Sequence, residues 1–192
     1  MGDPGQQPTV SIVVPTYHRR ERLEGCIAGI RANVRISREI IVVGGASDDG
    51  TTQWASVQPD LRFIRETRRE GAVKAFNKGF RAAVGRYVMW LNDDSYPLPG
   101  AVEAAVRMIE RPDLTDVGMV AFYHNFDRPL NRLDSVEHQG LCYGIYNVRG
   151  YPYANFGLLR RSLLEQLGYV DERYYFFGWD PDLSLRCRSR PA

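Results

Sequence analysis

An α/β fold with a mostly parallel sheet flanked by helices is predicted by three features of the chain. Short β-branched or apolar runs alternate with stretches whose apolar residues recur at helical spacing. Such alternation argues for parallel strands joined by right-handed crossovers. No internal repeat and no linker divides the 192 residues, a length that suits one domain with a sizeable core.

Residues 1–8 form a polar, Gly/Pro-rich lead-in expected to be disordered. Val10 to Val14 reads as a strand stopped by Pro15. Thr16-Tyr17-His18-Arg19-Arg20 then forms a loop, and Leu23, Cys26, Ile27 and Ile30 follow at helical spacing. Ile40 to Val43 is a second buried strand, ending in the acidic turn from Gly44 to Thr51. A short helix around Trp54 and Val57 follows, and Leu61 to Ile64 reads as a third strand. Gly71 to Val84 is expected to be helical, with Ala75, Phe76, Gly79 and Phe80 on one face. Beyond Pro99 a helix carries Ala101, Val102, Ala105, Val106 and Ile109, and a strand is expected from Gly118 to Tyr123. From His124 to Tyr153 the composition turns to Asn, Asp, Gly and Tyr without a helical period. Loops mixed with short antiparallel strands are expected there. Order resumes at Gly157, with a helix from about Arg161.

Composition excludes several functions. A net charge of +2 makes no electrostatic case for bulk nucleic-acid binding, and the basic cluster Arg65, Arg68 and Arg69 is interrupted by Glu66 and Glu70. Cys26, Cys142 and Cys187 are odd in number, widely spaced and in no CxxC pair. They read as free thiols in a reducing compartment, against a zinc site or a disulfide framework. His18, His124 and His138 show no metal-ligand spacing. The amino terminus lacks a signal peptide's basic and apolar regions, and no apolar run approaches the roughly 20 residues that span a bilayer. A cytoplasmic protein with no membrane span is expected.

One stretch concentrates chemistry. Arg86 to Pro97 opens with the apolar strand Tyr87-Val88-Met89-Trp90-Leu91 and breaks into Asn92-Asp93-Asp94. Adjacent carboxylates after a buried strand repel each other unless something offsets them, and a divalent cation does that well. The carboxyl end of a sheet strand is also where α/β folds hold ligands.

Several separated motifs stand in order around it. They are Val10-Ser11-Ile12-Val13-Val14-Pro15-Thr16-Tyr17, then Glu39-Ile40-Ile41-Val42-Val43 with Ser47-Asp48-Asp49-Gly50-Thr51, then Gly71, Ala75, Asn77 and Gly79. Asn92-Asp93-Asp94 follows, and last come Arg160-Arg161 and Gly168-Tyr169-Val170-Asp171-Glu172 leading to Asp180-Pro181-Asp182-Leu183. Over residues 9–188 this ordered set resembles the family 2 glycosyltransferases of the GT-A fold. The resemblance implies a Rossmann-like, mostly parallel sheet with a small mixed acceptor-side region. It divides a single domain, 9–192, into a nucleotide-sugar-binding half, 9–98, and an acceptor-side half, 99–192. Relatives continue past the last motif with a late histidine and a lid, so the domain is expected to be cut short at its carboxyl end.

The implied reaction moves a sugar, with inversion, from a nucleotide-diphosphate donor to an acceptor hydroxyl. A divalent cation, manganese or magnesium, neutralises the leaving diphosphate. Asn92-Asp93-Asp94 resembles the family's DXD motif, so Asp94 is implied as the metal ligand. Asp93 is implied at ribose or metal-bound water, and Asn92 offers only a neutral oxygen. Pro15, Thr16 and Tyr17 line the implied base pocket, with Gly44, Ser47, Asp49 and Asn77 at neighbouring family positions. The family commonly carries an Asp at the place of Gly44 that reads the uracil edge, so the donor base stays open. Arg69 and Lys74 offer charge to phosphate, or remain solvated surface cations. His18 beside Arg19 and Arg20 offers a phosphate contact, an exposed loop histidine being the plainer reading.

Asp180 aligns with the Asp of the family's ED motif and is implied as the general base, its aromatic neighbours raising its pKa. Asp182 is the reserve, and it reads equally as a helix cap or first-turn acid. Trp179 replaces the motif's Glu and either stacks on a sugar or fills core. Asn155, Phe156 and Gly157 lie where the family contacts acceptors, and Tyr143, Tyr146, Tyr151 and Tyr153 form either a sugar platform or ordinary packing. The acceptor, whether saccharide, lipid-linked or another hydroxyl compound, and the oligomeric state stay open. A second reading is a nucleotide-sugar-binding or interaction protein with this fold and no turnover.

Overall fold

Parallel strands buried on both faces read as unbroken apolar runs, and the centre of this molecule is built from them. A computed structural model describes residues 7–114, 117–122, 132–138, 141–146 and 154–188. The strands are β1 (Val10–Thr16), β2 (Arg38–Gly44), β3 (Leu61–Arg65), β4 (Tyr87–Trp90), β5 (Met119–Phe122), β6 (Arg132–His138), β7 (Leu141–Tyr146) and β8 (Phe156–Arg160). The helices are α1 (Arg20–Asn33), α2 (Thr51–Ser56), α3 (Ala72–Ala82), α4 (Ala101–Ile109), α5 (Arg161–Gln166) and α6 (Trp179–Arg188). A six-stranded sheet runs β3-β2-β1-β4-β8-β5, and β6 pairs with β7 in a separate antiparallel ribbon. The four strands from β3 to β4 are parallel, whereas β8 runs antiparallel to both β4 and β5.

Alternation along each strand divides the core in two. Ile12, Val14, Ile40, Val42 and Met89 face a cluster with Leu23, Ile27 and Ile30 of α1 and Val102, Val106 and Ile109 of α4. Val13, Ile41, Val43, Val88 and Trp90 face the opposite cluster, with Val73, Phe76 and Phe80 of α3, Leu163 and Leu164 of α5, and Leu183 of α6. The result is three layers, helix over sheet over helix. Close approach of α3 to the sheet depends on Gly79, where an added Cβ would stand 2.2 Å from Val13 Cγ1.

Strand β1 does not stop at Pro15 but continues through it to Thr16. The Leu91 N–H donates to the Val13 carbonyl, so Val13 and Pro15 direct their backbone groups to the β4 side. Strand β4 ends at Trp90, opposite Val13, so no ladder bond is lost where Pro15 lacks its N–H. Gln7 and Pro8, expected in a disordered lead-in, are tied down: Gln7 donates to the Val84 carbonyl at 2.7 Å and Pro8 accepts from the Arg86 N–H at 3.1 Å. A strand at 156–160 was not expected from the sequence, and it sits inside the sheet. The antiparallel ribbon expected between 124 and 153 is present as β6 and β7. His124, Tyr151 and Tyr153 lie outside the described residues, as do the side chains of Tyr143, Tyr146, His138 and Cys142.

Candidate active site

The carboxyl ends of β1, β2 and β4 open onto a cleft of about 450 Å³ lined by Pro15, Thr16, Tyr17, Arg69, Asn92, Asp93 and Asp94 among others. A sheet places ligands here because the parallel strands end together while their connections splay apart. A shallower depression of about 710 Å³ lies beside it at the start of α1 and holds His18, Arg20 and Asp49. It is larger but lined mainly by solvated charges, and the deeper cleft alone carries the paired acids.

Those acids differ from each other. Asp93 is 4% exposed, and both its oxygens are engaged: Oδ2 accepts from Thr16 Oγ1 at 2.8 Å and Oδ1 from Arg19 Nη1 at 2.8 Å. Burial pushes its pKa above the usual carboxylate range, against the pull of the Thr16 hydrogen bond and the Arg19 charge. Asp94 keeps 31% of its side chain exposed and takes Arg19 Nη2 on Oδ2 at 2.9 Å. One guanidinium fork therefore spans the pair, an arrangement its planar geometry suits. Below it, Cys26 donates to the Asn92 carbonyl at 3.7 Å, tying the acidic loop to α1. Burial, then the charges of Asp93 and Asp94, push the Cys26 thiol up to about 12.

The donor set decides how a divalent cation fits. Asp94 Oδ1 has no partner among the described residues, so Asp94 can offer an oxygen. Asp93 has both oxygens occupied, and no group of three or more His, Cys, Asp or Glu side chains suited to a metal exists among the described residues. The pair fits a cation only with most of its ligands supplied by substrate phosphates and water, the usual habit of magnesium.

Beyond the cleft lining, the other expected site residues scatter. Gly44 ends β2 under the Phe63 ring, whose Cε2 would stand 2.6 Å from an added Cβ, so a side chain there would have to displace that ring. Ser47 Oγ donates to the Gly45 carbonyl and accepts the His18 N–H, holding the two loops together. Asp49 accepts the Thr51 N–H and hydroxyl on Oδ1 and the Arg20 N–H on Oδ2. These bonds outweigh its desolvation and hold its pKa below the usual range. Asn77 is buried and exchanges hydrogen bonds with both backbone groups of Val170, pinning α3 to the 168–172 turn. Lys74 is exposed on α3 and does not line the cleft.

Asp180 stands in the first turn of α6, half-buried, with no side-chain partner among the described residues. Burial alone raises its pKa above the usual range. Asp182 instead accepts from Arg186 Nε at 2.8 Å, and Arg186 also donates to the Leu167 and Tyr169 carbonyls. That is the first-turn arrangement its spacing allowed. Trp179 is 6% exposed and packs between Phe76, at 4.8 Å between ring centroids, and Trp90, at 5.9 Å. Of its two sequence readings, core packing is the one its surroundings match. Asn155 is exposed and its carbonyl accepts Trp90 Nε1–H at 2.9 Å, while Phe156 and Gly157 are buried within β8.

Two charged residues of the cleft were not among the expected site residues. In the sequence Arg19 stands with His18 and Arg20 in a basic loop, and Glu66 interrupts a basic cluster. Glu66 is 5% exposed, lines the cleft and accepts from Lys78 Nζ at 2.6 Å. A lone acid one residue past a strand was the available signal, but nothing in the pattern marks it as buried.

A cleft at the strand ends, with an acidic pair on the β4 loop, now stands on a three-layer sheet. The model of glycosyl transferase family 2 matches residues 11–168. The chain belongs to that family. Among its relatives, an uncharacterised glycosyltransferase of Bacillus subtilis, YwdF, is 28% identical over 93% of this chain and 67% of its own length. The putative glycosyltransferase EpsH of the same organism is 25% identical over 90% of this chain and 56% of its own length. Among solved structures, the Pyrobaculum calidifontis mannosyltransferase PcManGT, in complex with GDP-Man and Mn2+, matches with a TM-score of 0.65 and 27% identity, over 93% of this chain and 51% of its own. Staphylococcus aureus TarS residues 1–349 match with a TM-score of 0.70 at 17% identity, over 94% of this chain and 55% of that one. The fold is therefore GT-A, and this family 2 chain spans about half the length of those solved chains. Among the described residues no helix is long and apolar enough to cross a membrane.

Proposed function

We propose that this family 2 chain forms the catalytic part of an inverting, divalent-metal-dependent glycosyltransferase acting on a nucleotide-diphosphate sugar and an acceptor hydroxyl. The observation that carries the reading is the pairing of buried Asp93 with half-exposed Asp94 at the mouth of the cleft, beside Tyr17 and Arg69. PcManGT, the 27% identical neighbour, is described with GDP-Man and Mn2+, which supports a nucleotide-sugar donor and a cation here.

Each residue then has a task. Asp94 would hold the cation, which supplies charge neutralisation of the leaving diphosphate. Asp93, locked by Thr16 and Arg19, fixes the loop on which Asp94 stands. Arg19 balances the acids and presents a guanidinium where phosphate charge arrives. Arg69 lies over the Tyr17 ring at 4.6 Å, a flat, cationic wall for the nucleotide. Asp180 takes the acceptor hydroxyl's proton as that oxygen attacks the anomeric carbon; the carbon–phosphate-oxygen bond breaks and the nucleoside diphosphate leaves. Burial holds Asp180 above the usual carboxylate range and so makes it a stronger base. No covalent sugar–protein bond is needed, and the anomeric configuration inverts. A cytoplasmic location belongs to the same reading, since nucleotide-sugar donors are made there.

The test is calorimetric titration of UDP- and GDP-sugars with and without Mn2+, followed by NMR of the product anomer. Metal-dependent binding and an inverted product are expected. Retention of configuration, or tight donor binding indifferent to both Mn2+ and Asp94→Ala, would overturn the mechanism. Donor binding with no transfer to any hydroxyl acceptor would favour the non-catalytic reading.

A further inference from the structure

The cleft contains a carboxylate that the mechanism above does not use. Glu66 follows β3 directly, with its N–H bonded to the Gly44 carbonyl at 2.8 Å. Its side chain is 3% exposed, and Lys78 holds Oε1 at 2.6 Å. Oε2 has no partner among the described residues. It stands 3.4 Å from where a Cβ on Gly45 would be, so the bare backbone of Gly45 leaves it uncovered. Glu66 and Gly45 both line the cleft. That oxygen opens into the cleft, where a ligand N–H can take the place of solvent and make a charge-assisted hydrogen bond.

The surroundings select the kind of ligand. The Tyr17 ring borders the same spot, with Cδ2 3.1 Å from the Gly45 Cβ position, and the Arg69 guanidinium lies over that ring. A flat aromatic, a planar cation and a bare glycine suit a planar heterocycle. The end of β2 offers no side chain here, positions 44 and 45 being glycines, and the Phe63 ring packs over Gly44. The acid is delivered from the end of β3 instead.

Resting on the reading that this cleft holds a nucleotide-sugar, we propose that Glu66 Oε2 reads the donor's base by accepting a ring N–H. An ionised carboxylate only accepts. Uracil and guanine present a ring N–H on their Watson–Crick edge and satisfy it. Cytosine and adenine present a lone pair at that ring nitrogen and can offer only an exocyclic amino N–H, so they fit the fixed carboxylate less well. Glu66 is then a specificity residue that separates lactam-type bases from the other two. The Glu66–Lys78 pair fixes the direction of the carboxylate, and Glu70, which holds Lys78 on its other side at 2.8 Å, is a natural control.

The experiment measures Kd for UDP, GDP, CDP and ADP, each with Mn2+, on the wild-type chain, Glu66→Gln, Glu66→Asp and Glu70→Gln. The wild type is expected to bind UDP or GDP at least about tenfold tighter than CDP and ADP. Whichever of the two binds tighter identifies the base. Glu66→Gln, whose amide both donates and accepts, is expected to bring the four within about threefold. Glu70→Gln keeps the wild-type ratio, separating base reading from the loss of a Lys78 partner. Should Glu66→Gln not fold, Glu66→Asp keeps the charge but withdraws it by one methylene, and the same loss of discrimination is expected. Equal binding of all four by the wild type, or a ratio untouched in the folded Glu66 variants, overturns the assignment while leaving the glycosyl-transfer reading standing. Failure of every nucleotide to bind removes both.

Discussion

The two halves of the sheet put their polar groups to different use. From β3 to β4 the strands are parallel and polar groups at their ends are tied down, Thr16 and Arg19 to Asp93 across 77 and 74 positions and Glu66 to Lys78 of the neighbouring α3. On the far side, β8 and β5 run antiparallel; beyond them the segment before α6 leaves Tyr175, Phe176 and Phe177 exposed, Phe177 at 83%, with Phe176 reaching the rim of the cleft. The first half holds its charges in fixed pairs; the second exposes apolar surface close in sequence to the half-buried Asp180. Stability and activity should therefore respond in different proportions to mutation in the two halves.

The largest expected effect is on turnover alone. Asp180→Asn is expected to lower kcat by about 10²–10⁴-fold while leaving nucleotide affinity and the unfolding midpoint nearly unchanged. Because burial raises the Asp180 pKa and the base acts deprotonated, activity rises with pH through a value above the usual 3.8, and this acidic limb disappears in the variant. A variant that keeps full turnover would leave the acceptor half without its chemistry. Next, Gly79→Ala drives a methyl to within 2.2 Å of Val13 and should cost about 1–3 kcal/mol by urea denaturation. Thr16→Val, near-isosteric, strips Asp93 Oδ2 of its donor and should also cost about 1–3 kcal/mol. Phe177→Ala sharpens the contrast: stability should move by less than about 0.5 kcal/mol while the acceptor KM rises. A loss of stability there equal to that of Gly79→Ala would erase the distinction between the halves. The smallest effect is chemical. Cys26, buried and with its thiol pushed up to about 12, should resist a thiol reagent at pH 8 until the chain is denatured.

Much of this was legible in the chain. β-branched runs such as Ile40-Ile41-Val42-Val43 are buried on both faces and so cannot be mistaken for surface. The Asn92-Asp93-Asp94 break was visible because adjacent acids after an apolar strand are uncommon. Strand β8 was not legible: Phe156-Gly157-Leu158-Leu159-Arg160 is short, holds a Gly and runs straight into a helix, so neither periodicity nor length marks it. Trp179 was ambiguous because an aromatic beside an acid serves a ligand and a core equally well. Its contacts with Phe76 and Trp90 come from α3 and β4, about a hundred residues earlier.

Local pattern was enough to determine the alternating α/β order, the parallel centre of the sheet and the family, because burial of whole strands leaves its mark residue by residue. Tertiary structure alone decided which polar side chains meet. Arg19 reaches the acidic pair across 74 and 75 positions, and Glu66 enters the cleft because Gly45 carries nothing to cover it. Hydrogen bonds of that span depend on how β1, β3 and β4 are brought side by side, and no short-range periodicity encodes it.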